Sequence, residues 1–470
     1  MLKLVIEKEL RDILTSTKFI VSFASCALLI LLAFAMGAAG YRSDVARVEA
    51  ARRENLKKME GLTDWMMVRN NRIFLTPQPL ASLVAGVADD IGRTMEVRGR
   101  GEMPQEDTRY GEEPVFAMFR FLDLEFIFQT VLSLFAIVFA FDAVSGEKER
   151  GTLRLSFANP LPRATFMAGK LAGAFLALAV PLLVPILIGC AVFTLMGVPL
   201  TTDEWMRLAL IVGAGLLYFG AFLALGIAVS AMTRRSSTSF LALLVIWIFA
   251  VLIIPRSAIL IAGRAVDVPS LDDINAKKFR YAEQLFAEDR TAMNAFNPAD
   301  KSDPRKMIEE FQKFMGNIND ARQKKMDEFS SRLNEERANA QGVQSSVALG
   351  IARISPATCF TLAASALAGT SLALQDRYAA QARGYQESFA KFMLGKTGVN
   401  PGGGMVFRMR IGDGEQEKPI DTHELPAFEY RRPVLADVLP AALPDAGVLA
   451  VCVFLFFGAA HVAFRRYDLR

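Results

Sequence analysis

The chain has 470 residues, of which 52% are apolar and only 22% are charged, and its mean hydropathy is +0.29. Because the apolar residues gather in long blocks, this composition excludes a purely water-soluble enzyme and a disordered protein. The formal net charge of +4 is small for the length, and therefore we expect no nucleic-acid partner. The four cysteines show neither a disulfide framework nor a metal-ligand spacing.

The first 17 residues predict an amphipathic helix at the inner membrane surface. Leu4, Val5 and Leu10 share one side of that helix, and charged residues lie elsewhere on it. Residues 18–41 then form an apolar run long enough to cross the bilayer, which needs about 20 residues. Acidic residues precede the run, so we interpret it as a membrane span and not as a cleaved signal peptide.

The same length criterion predicts six membrane spans, at 18–41, 121–141, 164–197, 206–232, 237–261 and 443–464. Among the short segments next to the spans, Lys and Arg are concentrated in alternate ones, and such positive segments stay in the cytoplasm. They include the N-terminal helix, the loop at 142–163, Arg234-Arg235 and the tail at 465–470. We therefore predict a multi-pass membrane protein with both termini in the cytoplasm.

This orientation exports two large segments, 42–120 and 262–442, which together exceed half of the chain. Within the second segment, an apolar stripe runs from Ile308 to Leu333 in steps typical of an amphipathic helix. Prolines separate this helix from an earlier one near 273–294, which predicts a helical hairpin.

The rest of the second exported segment contains further predicted elements. One helix is indicated by the aromatic stripe Tyr378, Tyr385, Phe389 and Phe392. Residues 345–375 are apolar but interrupted by Arg353 and Pro356, so we favour an interfacial or core helix over a seventh span. The extended stretch 405–411 suggests a small sheet. The predicted fold is therefore a mainly α membrane protein with six transmembrane helices and two large, mostly helical extracytoplasmic segments.

The loop at 142–163 contains the most specific pattern in the chain. After the second span the sequence reads Ser145-Gly146-Glu147-Lys148-Glu149-Arg150-Gly151-Thr152, and Pro160, Arg163 and Lys170 follow. Taken alone, such a charge-dense stretch is also typical of an ordinary solvated connector. Its spacing closely resembles the SGE-x-E-x-GT … P-x-x-R … K stretch of permease subunits in type 2 ABC transporters.

The resemblance implies that this loop contacts an ATPase subunit and transmits its motion. Eight residues would then serve ATPase coupling: Gly146, Glu147, Glu149, Arg150, Gly151, Thr152, Pro160 and Arg163. Among them, Glu147 and Glu149 would supply charged contacts, and Gly151 would permit a tight turn or a close approach. The N-terminal helix looks like the elbow helix of the family. The long exported segments are similar to those of a bacterial branch, which implies a bacterial inner membrane.

The energy that drives this motion must come from ATP hydrolysis on another chain. No complete G-x-x-x-x-G-K-[ST] phosphate loop occurs, since Ala390 stands where the first glycine before Gly395-Lys396-Thr397 belongs. We therefore predict a transport subunit and not an enzyme, with no cofactor of its own and with ATP and Mg on the partner ATPase. The resemblance implies ABC ATPase subunits, a second permease copy or a paralogue, and the lipid bilayer as partners. The outer segments could also dock a periplasmic protein.

Three functional classes stay open on the sequence. The leading one is the permease subunit of an ATP-binding cassette transporter that exports or extracts a substrate. The second is an ATP-driven mechanotransmission complex, which acts on an envelope partner without transport. The third is a membrane-anchored scaffold or sensor. Nothing in the chain selects a substrate among lipid, peptide, sugar and ion.

Isolated polar residues receive simpler interpretations. Lys170 lies less than two turns inside the third span, so we expect its stem to extend the ammonium group to the membrane surface. His423 is expected on a solvated loop and His461 at the headgroup level. We assign no metal or catalytic role to either histidine.

Overall fold

The computed structural model describes residues 1–68, 70–88, 90–98, 103, 105–106, 123–153, 157, 161–294, 296, 304–398 and 419–467. Most of these residues are helical, and the long apolar helices pack side by side into a bundle. A small β-sheet with a covering helix and a long helical hairpin extend from one end of this bundle.

The helices follow the apolar blocks of the sequence. The first two are α1 (Leu2–Leu14) and α2 (Thr17–Lys57). The next helix, α3, joins α-helical Leu124–Phe126 and Ser133–Ala140 through a π-helical turn at Ile127–Leu132. The remaining helices are α4 (Ser145–Glu149), α5 (Arg163–Leu195), α6 (Thr202–Met232), α7 (Ser236–Ala265, with a π-helical turn at Ile248–Ile253), α8 (Leu271–Asn294), α9 (Pro304–Ala352), α10 (Pro356–Ala368), α11 (Ala373–Thr397) and α12 (Leu435–Arg465).

Polar residues fix where two of the membrane helices begin. Ser16 Oγ accepts a hydrogen bond from the backbone N–H of Phe19, which separates α1 from α2. Thr201 and Glu204 form a reciprocal capping box at the start of α6. Because these caps stand next to the apolar runs, both helices start within a few residues of the predicted spans.

Glycines allow α6 to approach α3 closely. A Cβ atom on Gly215 would lie 2.4 Å from the ring of Phe128, and one on Gly226 would lie 2.4 Å from the Cβ of Ala140. Small residues at helix contacts permit such close packing where lipid provides no hydrophobic driving force. Since α6 also packs against α10 and α12, it lies at the centre of the bundle.

The two π-helical turns leave backbone carbonyls that neighbouring side chains satisfy. In α3, the carbonyl of Gln129 accepts hydrogen bonds from Ser133 Oγ and from Tyr218 Oη of α6. In α7, the carbonyl of Ala250 accepts a hydrogen bond from Ser355 Oγ. A carbonyl left unpaired in a membrane is costly, so these hydroxyl groups stabilise the wide turns.

Within the described ranges, seven helical stretches are long and apolar enough to cross a membrane, and six of them overlap the predicted spans. The seventh, Pro356–Thr397, consists of α10 and α11, which separate at Gly369. With 13 residues, α10 reaches only about 20 Å, which is less than the hydrocarbon thickness of about 30 Å. It is buried against α6 and α12, and six spans therefore stay our prediction.

The segment at 42–120 contains a sheet that the sequence analysis did not predict. Its strands are β1 (Asn70–Phe74), β2 (Thr94–Arg98) and β3 (Gln105–Glu106), antiparallel and in the order β1-β2-β3. The four residues from Thr94 to Val97 are all buried, so β2 lacks the two-residue alternation that reveals a half-exposed strand. This segment is therefore less helical than expected, although the chain as a whole is mainly α.

Helix α11, which belongs to the second predicted outer segment, covers this sheet. Tyr378 Oη donates hydrogen bonds to the carbonyls of Ile73 and Arg93, at 3.3 and 3.1 Å. Asn71 Nδ2 donates to Tyr385 Oη at 2.7 Å. The two predicted segments thus share one apolar cluster, and we call β1, β2, β3 and α11 together the sheet domain.

Helices α8 and α9 pair as the predicted helical hairpin. The ring of Tyr281 stacks on that of Phe329 with 4.2 Å between centroids, and Arg322 pairs with Asp289 at 2.6 Å. Helix α9 has 49 residues and is about 70 Å long, and its C-terminal part packs on α7. The stretch 405–411, predicted to form a small sheet, lies outside the described residues.

Candidate functional site

Four segments that are distant in sequence meet at one end of the bundle. They are α1 with the start of α2, the loop that follows α3, the start of α7, and the end of α12. Lys18 Nζ lies 3.0 Å from Asp142 Oδ2, and Ser236 Oγ donates to Glu149 Oε2 at 2.7 Å. Arg163 donates to the carbonyl of Arg465 at 2.6 Å. These are the segments for which the charge pattern predicts a cytoplasmic position.

The short helix α4 is docked on the C-terminal end of α6. Ser230 Oγ accepts hydrogen bonds from the backbone N–H groups of Val144 and Ser145, at 3.0 and 2.9 Å. Lys148 Nζ donates to the carbonyl of Ala231, in the last turn of α6, and to that of Thr233, the residue that follows the helix. Both ends of α4 are thereby fixed to the same helix end.

The predicted coupling residues divide into a buried and an exposed group. Gly146 and Glu147 are buried against the bundle. The four residues that end α4 and follow it are exposed, and we call them the loop face: Glu149, Arg150, Gly151 and Thr152. The backbone of Gly151 has a φ of +71°, which glycine adopts without the strain of other residues, so it forms the predicted tight turn.

Local hydrogen bonds hold the loop face in shape. Arg150 Nε donates to the carbonyl of Gly146 at 3.1 Å, and Thr152 Oγ1 donates to the carbonyl of Glu147 at 3.4 Å. Arg163 is half-buried and ties the start of α5 to the end of α12 and the residues after it, through the carbonyls of Phe464, Arg465 and Tyr467. The predicted residue Pro160 lies outside the described residues. The coupling role of all eight residues stays a prediction.

A buried ion network lies beneath the loop face. Lys170 Nζ is 2.6 Å from Glu9 Oε1 of α1 and 3.1 Å from Glu147 Oε1 of α4. Lys8 Nζ is 3.0 Å from the same oxygen of Glu147. We call these four residues the Lys170 network. It joins α1, α4 and α5 through two carboxylates and two ammonium groups.

The position of Lys170 differs from the prediction that its ammonium group reaches the membrane surface. Its side chain is only 2% exposed, because α1 lies directly over it. This cover requires glycines on α5: a Cβ on Gly169 would lie 2.6 Å from Val5, and one on Gly173 would lie 2.7 Å from the Cβ of Glu9. The ammonium group is therefore paired with carboxylates inside the protein.

The energetics of this network favour a role in geometry over a role in stability. Desolvating buried charges offsets most of their attraction, so an apolar replacement of the whole group is often equally stable. Removing one partner is different, because it leaves the opposite charges buried, at a cost of about 3–5 kcal/mol. Loss of Lys170 alone would leave Glu9 and Glu147 in this condition, with only the half-exposed Lys8 near Glu147.

The sequence analysis missed several residues of this site. Lys8, Glu9 and Ser230 were not singled out, and Lys148 was named only as part of the loop. One available signal was the spacing of Gly169 and Gly173 around Lys170, since two small residues four apart allow a helix to approach closely. Among the described residues, no cluster of three or more His, Cys, Asp or Glu side chains could hold a metal ion.

The fold and the site together define a class of protein. A bundle of membrane-crossing helices carries, at one end, a rigidly docked helix whose charged loop face is exposed. Such an arrangement is that of a mainly helical, multi-pass membrane protein with an exposed, charged loop at one end of its bundle.

The chain matches the family described as ABC-2 family transporter protein over residues 4–382, and it therefore belongs to that family. It is a permease subunit of the ABC-2 type. The match includes most of α1, the loop at 142–163 and the hairpin.

A curated relative is similar over a shorter region. The probable ABC transporter permease protein NosY of Pseudomonas aeruginosa is 32% identical to this chain over 126 residues. The alignment covers 26% of this chain and 45% of NosY, so the chain spans less than half the length of that relative.

Proposed function

We propose that this permease subunit exports or extracts a substrate across the bacterial inner membrane, driven by a separate ABC ATPase that docks on the loop face. The observation that carries the proposal is that the loop face is exposed while its helix is fixed to α1, α5 and α6. A force applied to this face is therefore transmitted to three parts of the bundle at once. Both termini and the loop would lie in the cytoplasm, with ATP and Mg bound by the partner.

The charges of the loop face suit a protein partner. Glu149 and Arg150 are exposed side by side; Glu149 accepts a hydrogen bond from Ser236, and Arg150 donates one to the carbonyl of Gly146. Exposed charges of both signs give orientation and specificity to an interface more than raw affinity. In the family, two permeases and two ATPases assemble, so we propose a second copy or a paralogue as the other membrane half.

A cavity at the opposite end of the bundle supports transport. It has a volume of about 460 Å³ and lies where α3 begins, next to the sheet domain. Its lining combines apolar residues with polar side chains, among them Glu125, Gln129, Thr361 and Ser365. Concave sites with a few polar groups are typical places for small ligands.

The test of ATPase docking compares two arginines. Arg150→Glu reverses a charge on the loop face, and Arg264→Glu reverses another exposed charge, at the other end of the bundle. We expect an ABC ATPase, identified by mass spectrometry, to co-purify from the native cells with the wild type and with Arg264→Glu, but to be lost from Arg150→Glu. Equal retention of the ATPase by both variants would show that it does not dock on the loop face.

A second candidate function is supported by the hairpin. Because the C-terminal part of α9 packs on α7, a movement of α7 would be carried along about 70 Å of helix. This geometry suits mechanotransmission to an envelope partner. The discriminating variant replaces residues 271–340 by a short flexible linker. Loss of ATP-driven action on the envelope, with the membrane part still folded and bound to the ATPase, favours mechanotransmission, whereas unchanged activity favours transport.

A further inference from the structure

The elbow-like helix α1 is seated on α5 at one defined position. The pair Gly169 and Gly173 forms the surface that receives it, and neither position has room for a side chain. A Cβ on Gly173 would also come within 3.2 Å of the carbonyl oxygen of Ile6. The backbone of α1 therefore touches α5 directly, which small residues permit and larger ones prevent.

Lys170 stands between these two glycines in sequence and binds carboxylates from two other elements. Glu9 comes from α1 and Glu147 from α4, and both reach the same ammonium nitrogen, at 2.6 and 3.1 Å. Lys8 then returns from α1 to Glu147 at 3.0 Å. Consequently, α4 cannot shift relative to α1 without separating buried charges.

We infer that Lys170 is a positioning residue for ATPase coupling, which holds α1, α4 and α5 together so that they move as one body. This inference rests on the proposed docking of an ATPase at the loop face. An apolar contact of the same area would permit small sliding movements, whereas a buried ion network with short contacts is satisfied in one register only. A displacement of Glu147 therefore moves Glu9 and, with it, α1.

The experiment measures whether α1 and α4 keep a fixed separation when ATP binds. Spin labels are placed at Asp12 on exposed α1 and at half-buried Ala143 beside α4, in the permease–ATPase assembly in nanodiscs. In the wild type we expect one narrow distance, equal with and without ATP. In Lys170→Met we expect the distance to broaden and to change with ATP, and ATP hydrolysis to fall about tenfold, a usual size for coupling between sites.

A matched control is Lys18→Met. Lys18 also pairs with the loop, through Asp142 at 3.0 Å, but both side chains are more than one third exposed. This pair is screened by water, and its loss should leave both the distance and the hydrolysis rate unchanged. Lys170→Arg keeps the charge and should restore most of the coupling, a result that a purely structural role of the side chain does not require.

If Lys170→Met fails to fold, the neutral variant Lys170→Met/Glu9→Gln/Glu147→Gln removes the unpaired carboxylates. We expect it to fold and to show the same broad, ATP-dependent distance. Wild-type distances and hydrolysis in a folded Lys170 variant would overturn the inference, as would an equal loss in Lys18→Met. Failure of the wild type to bind any ATPase would instead refute the proposed function, since the distance without ATPase can still be measured.

Discussion

The contact between Gly226 of α6 and Ala140 of α3 provides a quantitative test of the bundle. In Gly226→Ala, the new Cβ would lie 2.4 Å from the Cβ of Ala140, whereas carbon atoms in contact prefer about 3.5–4.0 Å. The two helices must therefore part by about 1 Å, because neither methyl group can rotate away. Overpacking of this kind typically costs about 1–3 kcal/mol.

Gly213→Ala on the same helix is the matched control, since a Cβ there has no neighbour within 4 Å. Both variants gain the same helix propensity, about 1 kcal/mol, so the difference between them isolates the steric cost. We expect Gly226→Ala to unfold more easily than Gly213→Ala in a detergent titration followed by circular dichroism. Equal unfolding free energies would refute the close approach of α3 and α6 described above.

Further predictions concern single contacts. Arg353→Met should destabilise the bundle by about 3 kcal/mol in the same titration, because it leaves Asp445, only 2% exposed, buried and unpaired. Ser230→Ala should lower the free energy of unfolding by about 1–3 kcal/mol and speed hydrogen exchange at the backbone amides of Val144 and Ser145, which donate to Ser230 Oγ. Unchanged exchange at these two amides would contradict the docking of α4 on α6. The hydrogen bond from Asn70 lowers the pKa of Glu96 from its ordinary value of 4.5. The resulting stabilisation is present above that pH and is lost as the pH falls through the lowered pKa. Glu96→Gln should therefore destabilise the sheet at neutral pH but not in strong acid, as measured by pH-dependent unfolding.

The sequence pattern was sufficient to predict those parts of the structure that depend on residues close together in the chain. The apolar blocks gave the long helices, because bilayer thickness sets their length regardless of what they pack against. The stripe from Ile308 to Leu333 gave the hairpin, since helical periodicity is visible within a few turns. In the loop from Ser145 to Thr152, the order of the residues was sufficient to identify the candidate coupling site.

Contacts between distant segments decided the rest. The sheet domain needs β2, whose continuous burial hides its period, and α11, which lies far along the chain. In the sequence, Lys170 looks like any other lysine near the end of a membrane span. Only the packing of α1 against Gly169 and Gly173 places it next to buried carboxylates. Burial depends on which surfaces meet in three dimensions. A sequence read along one dimension therefore identifies the charged loop, but not the buried lysine beneath it.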